Sequence, residues 1–128
     1  MVFNWLDFLD IADKLHEIGT MNTQNSVAAY RSAVGRAYYG IFCHARDYAE
    51  DYLQYKGEAR GNDHYSVPRH YKKHNPQVSR ELQQLHEFRK NCDYDLIVTQ
   101  EIDADKTRQI IKRARKLKDI IDTIPKIP

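Results

Sequence analysis

An uninterrupted helical pattern from Val27 to Tyr52 constrains this chain more than any other feature. Val27, Tyr30, Val34, Ala37, Tyr38, Ile41, Ala45, Tyr48 and Tyr52 recur at three- and four-residue steps, and no proline falls among them; this is the period of one face of an α-helix. At the helical rise such a segment, about thirty residues, spans roughly 45 Å. Its apolar face must be covered along that length by other parts of the same chain. Alanines and glycines at positions 29, 33, 37 and 40 leave a neighbouring strip with little side-chain bulk, where another helix can come close. Gly35 and Gly40 each cost about 1 kcal/mol relative to alanine in a helix interior, which close packing would offset.

The covering elements are also helical. Trp5, Phe8, Leu9, Ala12, Leu15 and Ile18 define a first helix that Gly19 is placed to end. Asn22 to Ser26 offers capping side chains for the long helix. Val78, Leu82, Leu85 and Phe88 define a further helix that stops near Asp93-Tyr94-Asp95. Thr107, Ile110, Ala114, Leu117, Ile121 and Ile124 define the last, from about Asp103 to Thr123, with Pro125 beyond its end. Residues 57–76 form a polar connection punctuated by Gly57, Gly61, Pro68 and Pro76, long enough to leave room for a short extra helix. The 128 residues thus predict one all-α domain, an up-and-down four-helix bundle.

Composition excludes more than it assigns. A net charge of +2 from 20 basic and 18 acidic residues implies no nucleic-acid partner by itself. The distribution is uneven: Lys106, Arg108, Lys112, Arg113, Arg115, Lys116 and Lys118 fall in one acid-free run, whereas Asp7, Asp10, Asp13 and Glu17 crowd the start. On the last helix these cations have two readings, a solvated face or contacts to phosphates or an acidic partner, with Lys112, Arg113, Arg115 and Lys116 the named candidates. Cys43 and Cys92 are expected as reduced thiols rather than a disulfide scaffold. No apolar run approaches the roughly 20 residues of a membrane span, so a soluble, cytoplasmic protein is expected.

Most familiar chemistry is missing from the sequence. There is no phosphate-cradling glycine loop, no glycine-flanked nucleophilic serine and no cysteine pair at metal spacing, and no cofactor is implied. His70 and His74 are four apart with His64 as the nearby third ligand, a weak zinc pattern for which a polar loop is the simpler reading.

Two runs stand out against this background: Arg31-Ser32-Ala33-Val34-Gly35-Arg36-Ala37-Tyr38-Tyr39-Gly40-Ile41-Phe42 in the long helix, and Arg89-Lys90-Asn91-Cys92-Asp93-Tyr94 closing the helix that contains Leu82 and Leu85. Together, and in this order, they resemble the HEPN family of small helical proteins of prokaryotic toxin-antitoxin and defence loci. The closest likeness is to the branch with R-A-Y-Y-x-x-F in its second helix and R-x-x-A-D-Y ending its third, with Cys92 in the small-residue position. The resemblance implies a helical bundle that often dimerises, frequently beside a minimal nucleotidyltransferase. For many members it implies a metal-independent ribonuclease built on an arginine followed a few residues later by a histidine. Arg89 matches that arginine, and Asn91 approximates the polar residue that follows it.

The histidine is absent, since positions 94 to 96 are Tyr, Asp and Leu. Cleavage through the RNA 2′-hydroxyl needs a proton acceptor and a donor near neutral pH. A tyrosine is a poor base, and an aspartate a poor acid, at their ordinary pKa values. A displaced histidine, His86, His44, His64 or His70, would be required, with Arg89 and Asp93 as the other catalytic candidates. The plainer reading makes Arg89 and Asp93 an intrahelical ion pair, lets Arg36 reach Asp93 or Asp95, and has Tyr38 or Tyr94 cap the network. The expectation is therefore a non-catalytic or weakly active HEPN-type component acting through RNA or protein contacts, with a homodimer implied. The alternatives are a metal-independent endoribonuclease and an RNA- or nucleotide-binding module.

Overall fold

The computed structural model describes residues 3–21, 24–57, 62–94 and 102–128. It is all-helical, with five helices and no strand among the described residues: α1 Asp7–Met21, α2 Ser26–Tyr52, α3 Asp63–Tyr71, α4 Pro76–Tyr94 and α5 Ala104–Asp122. The four amphipathic segments read from the sequence are α1, α2, α4 and α5. α2 is the axis of the fold, touching α1, α5, α4 and α3 in turn. Its interior side is continuous from Ala29 to Leu53, with Val34, Ala37, Ile41, Cys43 and Ala45 wholly buried. Val78, Leu82 and Leu85 of α4 and Ile110, Ala114, Leu117 and Ile121 of α5 complete the same core.

The connection over 57–76 is not a loop throughout. Residues 63–71 form α3, although Pro68 lies inside it, and Pro76 opens α4 rather than preceding it. In a nine-residue helix Pro68 is within two turns of the N-terminus, where few amide donors are lost. Val67, Pro68 and Tyr71 are buried, and the Tyr71 hydroxyl donates to the Ala45 carbonyl at 2.7 Å, tying α3 to α2. Pro76 sits at the helix start, where its fixed φ suits the first turn, and Asn75 Oδ1 accepts from the amides of Gln77 and Val78.

Several boundaries differ from the sequence expectation for steric reasons. Gly19 does not end α1, which continues to Met21. A Cβ at Gly19 would lie 2.6 Å from the Tyr30 ring, so this glycine admits the α2 tyrosine instead. Ile18 and Val27, assigned to apolar stripes, are 51% and 57% exposed. Trp5 lies in the turn before α1 and donates from Nε1 to Asp47 Oδ2 at 2.7 Å. Asn25 is the N-cap of α2 without a side-chain capping bond. Asp103 does cap α5, accepting from the Lys106 amide at 2.8 Å. Cys43 and Cys92 are buried and free.

The two α2 glycines behave oppositely. A Cβ at Gly40 would stand 2.9 Å from the Trp5 carbonyl oxygen and 3.2 Å from Phe8 Cβ, so α1 approaches α2 through its backbone here. At Gly35 the one near atom among the described residues is Asp93 Oδ1 at 3.6 Å, an ordinary contact. Gly35→Ala should therefore raise stability by about 0.5–1 kcal/mol through helix propensity. Gly40→Ala should lower it by about 1 kcal/mol, because the overpacking cost exceeds the same propensity gain. Urea midpoints of the two variants moving in opposite directions is the expected result; equal shifts would show that the close approach at Gly40 carries no energetic weight.

Candidate functional site

The hexapeptide ending α4 forms a local ion pair. Arg89 Nε lies 2.8 Å from Asp93 Oδ2, four residues on, and the guanidinium stacks over the exposed Tyr94 ring at 5.8 Å. With both partners partly exposed, the pair contributes about 0.3–0.5 kcal/mol. Arg36 does not join it: its guanidinium lies over the Phe8 ring at 5.7 Å, on the α1 side of α2. Asp95 lies outside the described residues.

The basic run of α5 is partly neutralised, by tertiary partners at Arg113 and Arg115 and by acids of α5 itself at Arg108 and Lys118. Arg113 grips Glu81 of α4 through two nitrogens, at 3.0 and 2.8 Å, and also bonds Gln84. Arg115 bridges Asp10 and Asp13 of α1. Arg108 pairs with Asp105 and Lys118 with Asp122, while Lys106 lies over the Phe88 ring. Lys112 and Lys116 remain as exposed cations. Arg115 thus joins the basic run to the acidic start of the chain, and Arg113 joins it to α4.

Among the candidate displaced histidines, two are held elsewhere. His44 Nε2 is 2.7 Å from Asp122 Oδ1, and His70 Nε2 donates to the Leu53 carbonyl at 2.6 Å. His70 stays beside His74, but His64 faces a different neighbourhood, and no group of three metal-ligating residues occurs among the described residues.

His64 of α3 and His86 of α4 come together. Their rings stack at 5.0 Å with planes 18° apart. Tyr38 stacks on both, at 5.6 and 5.2 Å, and Phe42 lies 4.3 Å from His64. Tyr38 is buried, and its hydroxyl is 2.6 Å from His64 Nδ1. Burial holds this phenol far above its ordinary pKa and, with the nearby Arg89 charge, pushes the His64 imidazole below its own. A protonated phenol with no other partner among the described residues donates to Nδ1, since the alternative leaves a buried O–H unsatisfied. The remaining proton of neutral His64 then sits on Nε2, making that edge a hydrogen-bond donor. His86 is lowered to about 4, chiefly by burial and then by His64, Lys90 and Arg89. Both rings are neutral at pH 7.

These histidines open onto a groove of about 360 Å³ between α3 and α4, lined by His64, Tyr65, Arg69 and Lys72 from one side and Ser79, Gln83, His86, Glu87 and Lys90 from the other. Arg69 and Lys72 are exposed, with no acidic partner among the described residues, whereas Lys90 pairs with Glu87 at 3.1 Å. Tyr65, Arg69, Lys72, Gln83 and Lys90 were not singled out in the sequence. Their helical spacing was the available signal: Ser79, Gln83, His86 and Lys90 repeat at four, three and four, a polar stripe flanking Val78, Leu82 and Leu85, about 100° round the helix from it.

The chain matches no protein-family model, no curated protein and no solved structure. The HEPN resemblance accordingly rests on the sequence motifs alone. No helix among the described residues is long and apolar enough to cross a membrane.

A proton placed on His86 is unfavourable in the folded state and ordinary in the unfolded one. Its unfolded pKa is near 6.5 and its folded value about 4. Above pH 6.5 neither state protonates it and stability is unaffected; as pH falls from 6.5 towards 4 the unfolded state gains the proton first, so stability drops, levelling off below 4. Urea titrations at pH 7.5 and 5.0 should show a loss that His86→Gln reduces. An unchanged loss in the variant would assign the acid sensitivity to other groups.

Proposed function

We propose that this protein is a HEPN-type component of a toxin-antitoxin or defence system, non-catalytic or only weakly active, that contacts RNA through the groove between α3 and α4. The single observation that carries this reading is the stacked His64–His86 pair lining one groove with Arg69 and Lys72, cations that have no acidic partner among the described residues. Cations without carboxylate partners attract phosphates, and neutral rings in the same groove add stacking and hydrogen-bond edges.

The same pair argues against efficient turnover. Transesterification at the 2′-hydroxyl needs one group to take a proton and another to give one, each with a pKa near the working pH. His64 presents an N–H edge fixed by Tyr38, and His86, lowered to about 4, is a weak base that carries no proton to donate at neutral pH. Arg89, the residue matching the family's catalytic arginine, is engaged by Asp93. A homodimer, a minimal nucleotidyltransferase partner and a cytoplasmic setting belong to the same proposal.

Purified protein incubated with RNA in EDTA should leave it intact, and Arg89→Ala and His86→Ala should behave like the parent. RNA binding should weaken with salt, and the double variant Arg69→Ala/Lys72→Ala should reduce the logarithmic salt slope by about 2. Cleavage by the parent that is lost in Arg89→Ala would instead select the endoribonuclease reading.

A further inference from the structure

The groove between α3 and α4 differs from a plain cationic surface, because its charges and its rings are segregated. Tyr65, Arg69 and Lys72 follow at steps of four and three, so they share one face of α3 and its C-terminal cap, and all three line the groove. Tyr65 is 59% exposed, and its ring meets His86 at 5.5 Å with planes 68° apart. On the opposite wall Gln83 donates one amide N–H to Ser79 Oγ at 3.1 Å; its second N–H and its carbonyl oxygen have no partner among the described residues. His64 adds the Nε2–H edge fixed by the Tyr38 hydroxyl. Glu87, which holds Lys90, is the one acid in the lining. An anion is therefore favoured towards Arg69 and Lys72 and disfavoured towards Glu87.

Resting on the RNA reading above, we propose that this groove receives a single unpaired nucleotide, with its base against Tyr65 and its phosphate on Arg69 and Lys72. Three observations carry the assignment. The volume, about 360 Å³, is at the small end of ligand-sized clefts and suits one such unit rather than the width of a duplex. An exposed aromatic ring beside unpaired cations is the arrangement with which proteins hold single-stranded nucleic acid, through stacking and phosphate contacts. Base edges need both donors and acceptors facing them, and the free amide groups of Gln83 together with the His64 N–H supply both. An acidic protein segment would use the cations but would leave the stacking surface and the base-reading groups without a role.

The same ligand chemistry can come from a free nucleoside monophosphate or from a nucleotide within a strand. The full-length protein is titrated with a short unstructured fluorescein-labelled RNA and with its duplex, and then competed with AMP. The variants are Tyr65→Ala, Tyr65→Phe and Arg69→Ala/Lys72→Ala, with Lys112→Ala/Lys116→Ala on α5 as the control surface. Tyr65, Arg69 and Lys72 are exposed, so their truncation spares the core, and circular dichroism confirms the fold of each variant.

Single-stranded RNA should bind more tightly than duplex. Tyr65→Ala should weaken it about tenfold, and Tyr65→Phe, which keeps the ring, should not. The control variant should bind like the parent. Competition by AMP through the same residues identifies a free nucleotide as a ligand, and its failure to compete places the nucleotide within a strand; both outcomes uphold the groove. Equal binding of single strand and duplex, insensitive to Tyr65→Ala but abolished by Lys112→Ala/Lys116→Ala, would overturn the groove while leaving RNA binding standing. No binding of RNA or AMP by the parent would overturn both.

Discussion

Everything in this fold depends on α2 being covered on several sides at once. A helix of this length carries more apolar surface than one partner can bury. Here α1, α5, α4 and α3 each take part of it. The most extensive of these contacts is that of α1, where Gly40 leaves room for the Trp5 carbonyl and Gly19 admits the Tyr30 ring. Backbone-to-backbone contact of this kind fixes the relative position of two helices more tightly than side-chain packing alone, since no rotamer can relax it. Tyr48 and Tyr71 then use their hydroxyls to fasten the chain end and α3 to the same axis, by donating to the carbonyls of Ile124 and Ala45.

The candidate site follows from that axis. Tyr38 is a core residue by burial and a site residue by hydrogen bonding: its ring is enclosed, and its hydroxyl alone reaches His64. Once α2 is seated, the phenol meets His64 of α3, which stacks in turn with His86 of α4. The burial that stabilises this stack also keeps both imidazoles neutral. Packing and chemistry are therefore coupled with a definite sign. The more firmly the histidines are built into the core, the worse they become as general acids at neutral pH, and the more the surrounding cations, rather than the rings, decide what the groove can attract.

The parts of this structure that were legible in the sequence are those whose cause is local. Val78, Leu82 and Leu85, or Ile110, Ala114 and Leu117, reveal a helix because the period of the chain and the period of burial coincide. The Arg89–Asp93 pair was legible for the same reason, being one helical turn. α3 was obscured because it is short, polar and carries Pro68, so that its few buried residues, Val67 and Tyr71, gave too little periodicity to stand out. The Gly19 expectation failed because a glycine near a helix end has two uses, a left-handed cap or a close approach, and only the position of Tyr30 distinguishes them.

The α5 cations and the histidines show the same limit from opposite directions. Seven basic residues in one run read as an available charged surface, yet Arg113 and Arg115 find Glu81, Asp10 and Asp13 across helix interfaces. His64 and His86, 22 positions apart, read as separate candidates for a displaced histidine, one in a polar connection and one on a helix, yet they stack together and line one groove. In both cases the sequence supplies the side-chain type, and the tertiary neighbours determine whether its charge is spent internally or turned outward. The cations of α3 escape internal pairing because the core-facing residues of that helix, Val67, Pro68 and Tyr71, leave Arg69 and Lys72 on the outer side, away from the acids of α1 and α4 that neutralise α5. A phosphate-bearing ligand would thus meet unshielded positive charge at Arg69 and Lys72, on the shortest of the five helices and its C-cap.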